Sequence, residues 1–488
     1  MTIGKLRRRK FLKLGASLSA LGIGMPPFLQ RALAGPTSSS KKILFIFLRG
    51  GMDGIQAVIP YGDQGTASAD TYEQARPSLS PDPAATHDLN GFCSLFPAFQ
   101  GAALGQPRVA DIFHGTFDER GPNLAVIHRC GYENQNRSHF SSQQFYENGI
   151  PGNVQDETGV LNRYITAYPD GTTPIQAATL NTNQMVLMKG ETLVPVLRSI
   201  GDFDLPANVN LGTFPSPPGN PLGSGLKGAY GQAGFDPLVP YNGLTYSTGS
   251  TLLDSIQFFR DNVDAEAPPE PGAEEYYNAI GNNGFRGFIQ DCARLLKQVD
   301  GLQVVGCNQG GYDTHGSENV NFPNLTGDLG RALTALYIDL KDMWNDVIVF
   351  TITEFGRTSG ENANNGTDHA EACAMFAMGG SISGGVYNCD SSTWPNGTLF
   401  STANGRYLSH RTDFRAIYNE IITKHLGDPD GRIDEIIPGF TSLAAANSGG
   451  YFTPLNFINA GGGGGGPAPM PVEQIDDVDQ RFDLQARR

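Results

Sequence analysis

Lys41-Lys42-Ile43-Leu44-Phe45-Ile46-Phe47-Leu48-Arg49-Gly50-Gly51-Met52-Asp53-Gly54 is the stretch of this 488-residue chain that decides its fold. Six consecutive apolar residues stopped by glycines leave no polar face for water, so the run reads as a central strand of a parallel sheet. Runs of similar texture recur at residues 124–127, 302–306 and 347–352. Between the last two, Leu329, Leu333, Leu336 and Leu340 recur at helical spacing within residues 325–343. Strand, helix, strand predicts an α/β fold with a central, mostly parallel sheet. A further helix is expected over residues 413–425, ending at Gly427.

The ends of the chain have a different character. Arg8-Arg9-Lys10-Phe11-Leu12-Lys13, a weakly apolar run over residues 14–25 and Ala32-Leu33-Ala34 have the order of a twin-arginine export signal, residues 1–34. A spanning helix needs about 20 predominantly apolar residues, and Pro26-Pro27 interrupt this run too early. The expected partner is the twin-arginine export machinery, and the expected location is periplasmic, secreted or at the cell surface. The net charge is −15, and residues 1–34 carry only cations, so the mature chain is more acidic still. Such a surface repels phosphate backbones and argues against nucleic-acid binding. Six cysteines, an even number, permit disulfides in an oxidising compartment, with buried thiols as the equal alternative; no Cys-x-x-Cys zinc pair occurs. Residues 35–458 read as one α/β domain, in which the Pro- and Gly-rich stretch 151–285 is expected to be an insertion or cap. Residues 459–488 read as a flexible Gly-rich tail.

Functional groups of open parallel sheets collect where strands end at their carboxyl edge. Asp53 follows the first run, Gly311-Tyr312-Asp313-Thr314-His315 the third, and Thr353-Glu354-Phe355-Gly356-Arg357 the fourth, with Gly366-Thr367-Asp368-His369 further on. Oxygen and imidazole ligands from several strand ends suit a divalent ion such as zinc, manganese or calcium. The candidate ligands are therefore Asp53, Asp313, His315, Glu354, Asp368 and His369. Each has a plainer reading: Asp53 in a turn, Asp313 and Asp368 as caps, the histidines satisfied in loops, Glu354 paired with Arg357. After the second run, Arg137-Ser138-His139-Phe140 opens a helix. Ser138 there is either a nucleophile, with helix N–H groups ready for an anion, or an ordinary N-cap. The catalytic candidates are Ser138, His139 and Arg357, the last, or Arg49, as a clamp for an anion.

Residues 47–54, 137–140, 311–315, 353–358 and 366–369 resemble the motifs of a bacterial family of twin-arginine-exported proteins, catalogued as domain of unknown function 1501. The resemblance runs, in pieces, from residue 42 to 427. That family in turn resembles the alkaline phosphatase and sulfatase superfamily. The resemblance implies an alkaline-phosphatase-like three-layer sandwich with two metals at the carboxyl edge of its sheet. It implies Asp53 as the strand-one ligand, Ser138 as nucleophile, Asp313 with His315 as a ligand pair, and Asp368 with His369 as late ligands. All are expected to converge in one pocket. The chain departs from the superfamily where strand four should end in Asp-His, because Glu354-Phe355 stands there. Cys130 also lacks the Cys-x-Pro-x-Arg context of a sulfatase's modified cysteine. The implied function is an exported metal-dependent hydrolase of phosphate or sulfate esters. The alternatives are a degenerate scaffold binding glycan or cell-envelope polymer, and a surface organiser acting through its cap and tail.

Overall fold

The computed structural model describes residues 41–63, 71–100, 107–170, 173, 175–203, 242–395, 399–400, 405–447 and 450–459. The expected export signal, the Gly-rich tail and part of the expected cap lie outside the described residues.

The main sheet has nine strands. In chain order they are β1 (Lys42–Leu48), β2 (Leu124–Gly131), β3 (Ala177–Leu180), β4 (Val196–Leu197), β5 (Val304–Gln309), β6 (Val347–Ile352), β7 (Cys373–Met378), β8 (Gly385–Tyr387) and β9 (Thr412–Asp413). Across the sheet the order is β8-β2-β7-β6-β1-β5-β3-β4, with β9 also on β2. All run parallel except β7, which is antiparallel to both neighbours.

Strand β1 lies at the centre, with Phe45 opposite Gly306 on one side and Phe350 on the other. Its apolar run follows from burial on both faces. Leu44, Ile46 and Leu48 enter one core with Ile289, Leu295, Leu329 and Leu333, while Ile43, Phe45 and Phe47 enter the other with Phe145, Tyr164, Phe414 and Ile417. The first core is closed by α4 (Asn283–Gln298) and α5 (Glu318–Asp339), the second by α1 (His139–Asn148), α2 (Val160–Ala167) and α6 (Phe414–Glu420); α3 (Ala273–Ala279) packs beside α5. Burying each large apolar side chain stabilises the fold by about 1.5–3 kcal/mol, so a polar residue in β1 would be costly on either face. The result is a mixed α/β fold with helices on both sides of the sheet.

Two expectations are corrected. The stretch 151–285 is not simply a cap: β3 and β4 extend the main sheet, with Ala177 opposite Val304. These strands are short and lie among prolines and glycines, which hides their pattern, yet every residue of β3 is buried. Helix α5 begins at Glu318, seven positions before the expected start at residue 325, and carries Pro323 near its beginning. Asp413 caps α6 by accepting from Arg415 N, and the chain continues in a π-helical turn, Ile421–Gly427. Among the described residues no helix is long and apolar enough to cross a membrane.

Two histidines sit inside this framework as neutral groups. Burial lowers His128 and His425 from the ordinary 6.5 to about 4. The ring N–H of His128 donates to Gly54 O and that of His425 to Lys42 O, at 3.2 and 2.9 Å. The unfolded chain binds these protons near pH 6.5 and the folded chain only near 4, so stability falls as pH drops through that window. Each group is expected to contribute a loss of about 3 kcal/mol there. Urea unfolding of wild type and His425→Gln at pH 7 and pH 4.5 checks this; the variant should lose less stability on acidification, and equal losses refute the assignment.

Candidate metal centre

The carboxyl ends of β1, β5 and β6 lie side by side, and the site is built from the loops that leave them. Gly50 and Gly51 take left-handed φ values of +117° and +70°. A Cβ on Gly50 would collide with the Tyr312–Asp313 backbone, so glycine lets the loops after β1 and β5 touch. Gly366 plays the same part against Thr314 and His315, and an antiparallel bridge between Arg357 and His369 sets the fourth segment beside the third.

Asp313 is the centre of the cluster. Its Oδ1 lies 3.1 Å from His315 Nε2 and 3.1 Å from His369 Nε2, and its Oδ2 lies 3.3 Å from His139 Nε2. Burial pushes the Asp313 carboxyl up, but the hydrogen bond and charge of the Arg357 guanidinium outweigh it and hold the group well below the usual carboxylate range.

The three imidazoles are oriented alike. His369 Nδ1 faces the Arg137 carbonyl at 2.8 Å, His139 Nδ1 faces Glu354 Oε1 at 2.8 Å, and His315 Nδ1 faces Asp368 Oδ1 at 3.3 Å. A carbonyl only accepts, and so does an ionised carboxylate. Glu354 and Asp368 are both ionised, because hydrogen bonds from His139 and Gln143, and from Asn362 and His315, overcome the upward push of burial. Each Nδ1 therefore carries the proton in the neutral ring, and each Nε2 offers a lone pair toward Asp313. His315 Nε2 and His369 Nε2 stand only 2.9 Å apart. His139 Nε2 is buried with no hydrogen-bond partner.

Facing lone pairs beside a carboxylate repel unless a cation lies among them. Ligands bound about 2.0–2.1 Å from a tetrahedral ion stand roughly 3.3 Å apart, close to the 2.9–3.3 Å separations found here. His139, Asp313 and His369 each offer a ligand atom within 4.8 Å of the others. The donor set thus fits a single divalent ion. The Glu354 hydrogen bond raises the basicity of His139, whereas burial lowers that of His369.

The other candidates fall into place around this centre. Glu354 and Asp368 stand one bond behind it, holding His139 and His315. Glu354 is fully buried, and its Oε1 also accepts from Gly50 N and Gln143 Nε2, each at 2.8 Å. Asp53 is a correction: its carboxylate is fully buried, accepts from Gln56 N as the cap of a helical turn, and pairs with Arg76 at 2.8 Å. Arg76 arrives from the turn at Tyr72–Ala75, an approach that the sequence around Asp53 does not announce. Arg357 is a second correction. It is fully buried, and its guanidinium binds Gly50 O, Gly51 O, Tyr312 O, Thr367 O and Asp313 Oδ1, so it holds the loops and Asp313 together rather than standing open to an anion. Arg49 is likewise engaged with Glu147, Gln143 and Asn308. Ser138 is the exposed N-cap of α1, but its hydroxyl makes no capping bond.

His139, a catalytic candidate in the sequence, turns its Nε2 toward Asp313. The ring comes from the start of α1, and Glu354, the residue that follows Thr353 after β6, holds its Nδ1. The signal was a histidine one turn before Ser142 and Gln143, both of which also bond Glu354.

Residues 259–398 match the model of a family described as protein of unknown function (DUF1501). The DUF1501 match takes in Asp313, His315, Glu354, Arg357, Asp368 and His369, while Ser138 and His139 precede it. None of the curated proteins matches the chain. A similar solved structure is the lipoteichoic acid synthase LtaP from Listeria monocytogenes, at 10% identity over 72% of this chain and 69% of that one, with a TM-score of 0.24.

Proposed function

We propose that this chain is an exported, metal-dependent hydrolase of phosphate or sulfate esters, related to the alkaline phosphatases and sulfatases, with one divalent ion held by His139, Asp313, His315 and His369. The observation that carries this reading is the convergence of three Nε2 lone pairs on one carboxylate. Zinc or manganese suits an imidazole-rich set better than calcium, which prefers oxygen. When bound, the ion supplies Lewis acidity to an oxygen of the ester.

The chain's own residues supply the rest. Glu354 and Asp368 fix the rings, and Asp313 provides the negative charge that draws a cation in. The first-turn N–H groups of α1 receive no capping bond from Ser138, so they are open to an anionic oxygen. Arg137, over the Tyr407 ring at 4.4 Å, and Arg406, paired with Asp368 at 3.2 Å, place exposed positive charge at the rim. A cleft of about 490 Å³ lined by Thr358, Asn362, Asp368 and Arg406 gives room for the alcohol portion of the ester. Ser138, uncapped and next to His139, is the nucleophile in this reading.

The test is a panel of aryl phosphate and sulfate esters offered to protein loaded with zinc or manganese. Ser138→Ala should lower turnover by at least about 1,000-fold with metal content unchanged. Unchanged turnover removes Ser138 from the mechanism. Metal binding without turnover on any ester favours a site that binds envelope polymer instead.

A further inference from the structure

We propose that the six cysteines form three disulfides, Cys93–Cys389, Cys130–Cys373 and Cys292–Cys307, independently of what the metal centre does. The sequence leaves the connectivity open; the fold brings the residues together in pairs, with none left over.

Cys130 on β2 and Cys373 on β7 are directly opposed in the antiparallel ladder. Opposed residues of such a pair have Cα atoms about 4.5–5.5 Å apart, within the roughly 4.4–6.8 Å that a disulfide spans. Cys373 Sγ also lies 3.4 Å from Cys130 O. Cys292 on α4 meets Cys307 on β5 thiol to thiol, where the helix covers the strand, and both are fully buried. Asn90 joins the third pair: its Nδ2 donates to Cys389 O at 3.0 Å and its Oδ1 accepts from Cys93 N at 3.0 Å. The Cys93 and Cys389 side chains are in contact as well. Four of these cysteines lie in the core on one face of the sheet and two in the core on the other, so the links would staple both layers.

Each link forms by thiol–disulfide exchange. One thiolate attacks a small-molecule or protein disulfide, forming a mixed disulfide and releasing a thiol, and the partner cysteine then displaces the second thiol. The two cysteines lose two protons and two electrons, and the oxidant leaves as two thiols. All six cysteines are buried and stand as free thiols in this structure, so exchange would take place while the chain folds, and the closed bonds would then resist reduction.

The full chain, reduced and unfolded, is refolded in a buffer of glutathione and glutathione disulfide. Free thiols are alkylated under denaturing conditions, and peptides are mapped by mass spectrometry. The expected result is no alkylated cysteine, the three named linked peptides, and a Tm several degrees above that of chain refolded in dithiothreitol. Six alkylated cysteines in the folded protein, or a link joining any other pair, overturns the proposal. Two double variants, Cys130→Ala with Cys373→Ala and Cys292→Ala with Cys307→Ala, are mapped, so that failure of one to fold leaves the other as the test. Each should keep the other two links, and a new pairing in either is equally fatal.

Discussion

Asp313→Asn is expected to abolish divalent-metal binding, with an affinity at least about 100-fold weaker than wild type. The substitution keeps the shape of the side chain and removes its charge, so three Nε2 lone pairs lose the anion on which they converge. Arg357 keeps its four backbone carbonyl partners, so the loop should stay in place. Removing a ligand should weigh more than removing the group behind it. Glu354→Gln, which takes the buried anion from His139 Nδ1, should therefore lower metal affinity by about 10- to 100-fold. Titration calorimetry with zinc and manganese, together with elemental analysis of protein as purified, checks both. Wild type that takes up neither ion, or an Asp313→Asn protein that binds as wild type does, ends the metal reading.

Asp53→Asn should leave metal binding intact and cost stability instead. Its carboxylate and the Arg76 guanidinium are both wholly buried and 2.8 Å apart, and removing one partner of such a pair costs about 3–5 kcal/mol. Glu318 lies in the same enclosure, its carboxyl pushed up to about 8 by burial and by Asp53. Arg76→Met should be equally damaging. The double variant should lose less than the two single losses combined, because no charge is then left stranded. Urea unfolding gives the stability and zinc titration the metal affinity. If Asp53→Asn loses zinc while keeping its stability, Asp53 is a ligand and its pairing with Arg76 is the error.

These two residues show where local sequence stops being informative. Asp53 and Asp313 both follow an apolar run and both stand among glycines, so the chain near each makes the same suggestion. What separates them is which distant side chain arrives: Arg76 at one, three imidazoles at the other. The expectation for Ser138 left nucleophile and N-cap open, and the structure gives it the N-cap position without the capping bond.

The sequence by itself determined that the chain builds an α/β sheet around residues 42–48, because a strand buried on both faces must be apolar at every position. It determined too that the loops after three strands carry ligand-type residues, because glycines beside them permit close backbone approach. Only the tertiary structure decided which of those residues meet. That His139 turns toward Asp313, that Glu354 and Asp368 stand behind His139 and His315, that β3 and β4 widen the sheet, and which cysteines face each other all depend on contacts between segments far apart in the chain. Such contacts leave no periodicity in either segment, since each residue's spacing serves its own strand or helix and not its partner.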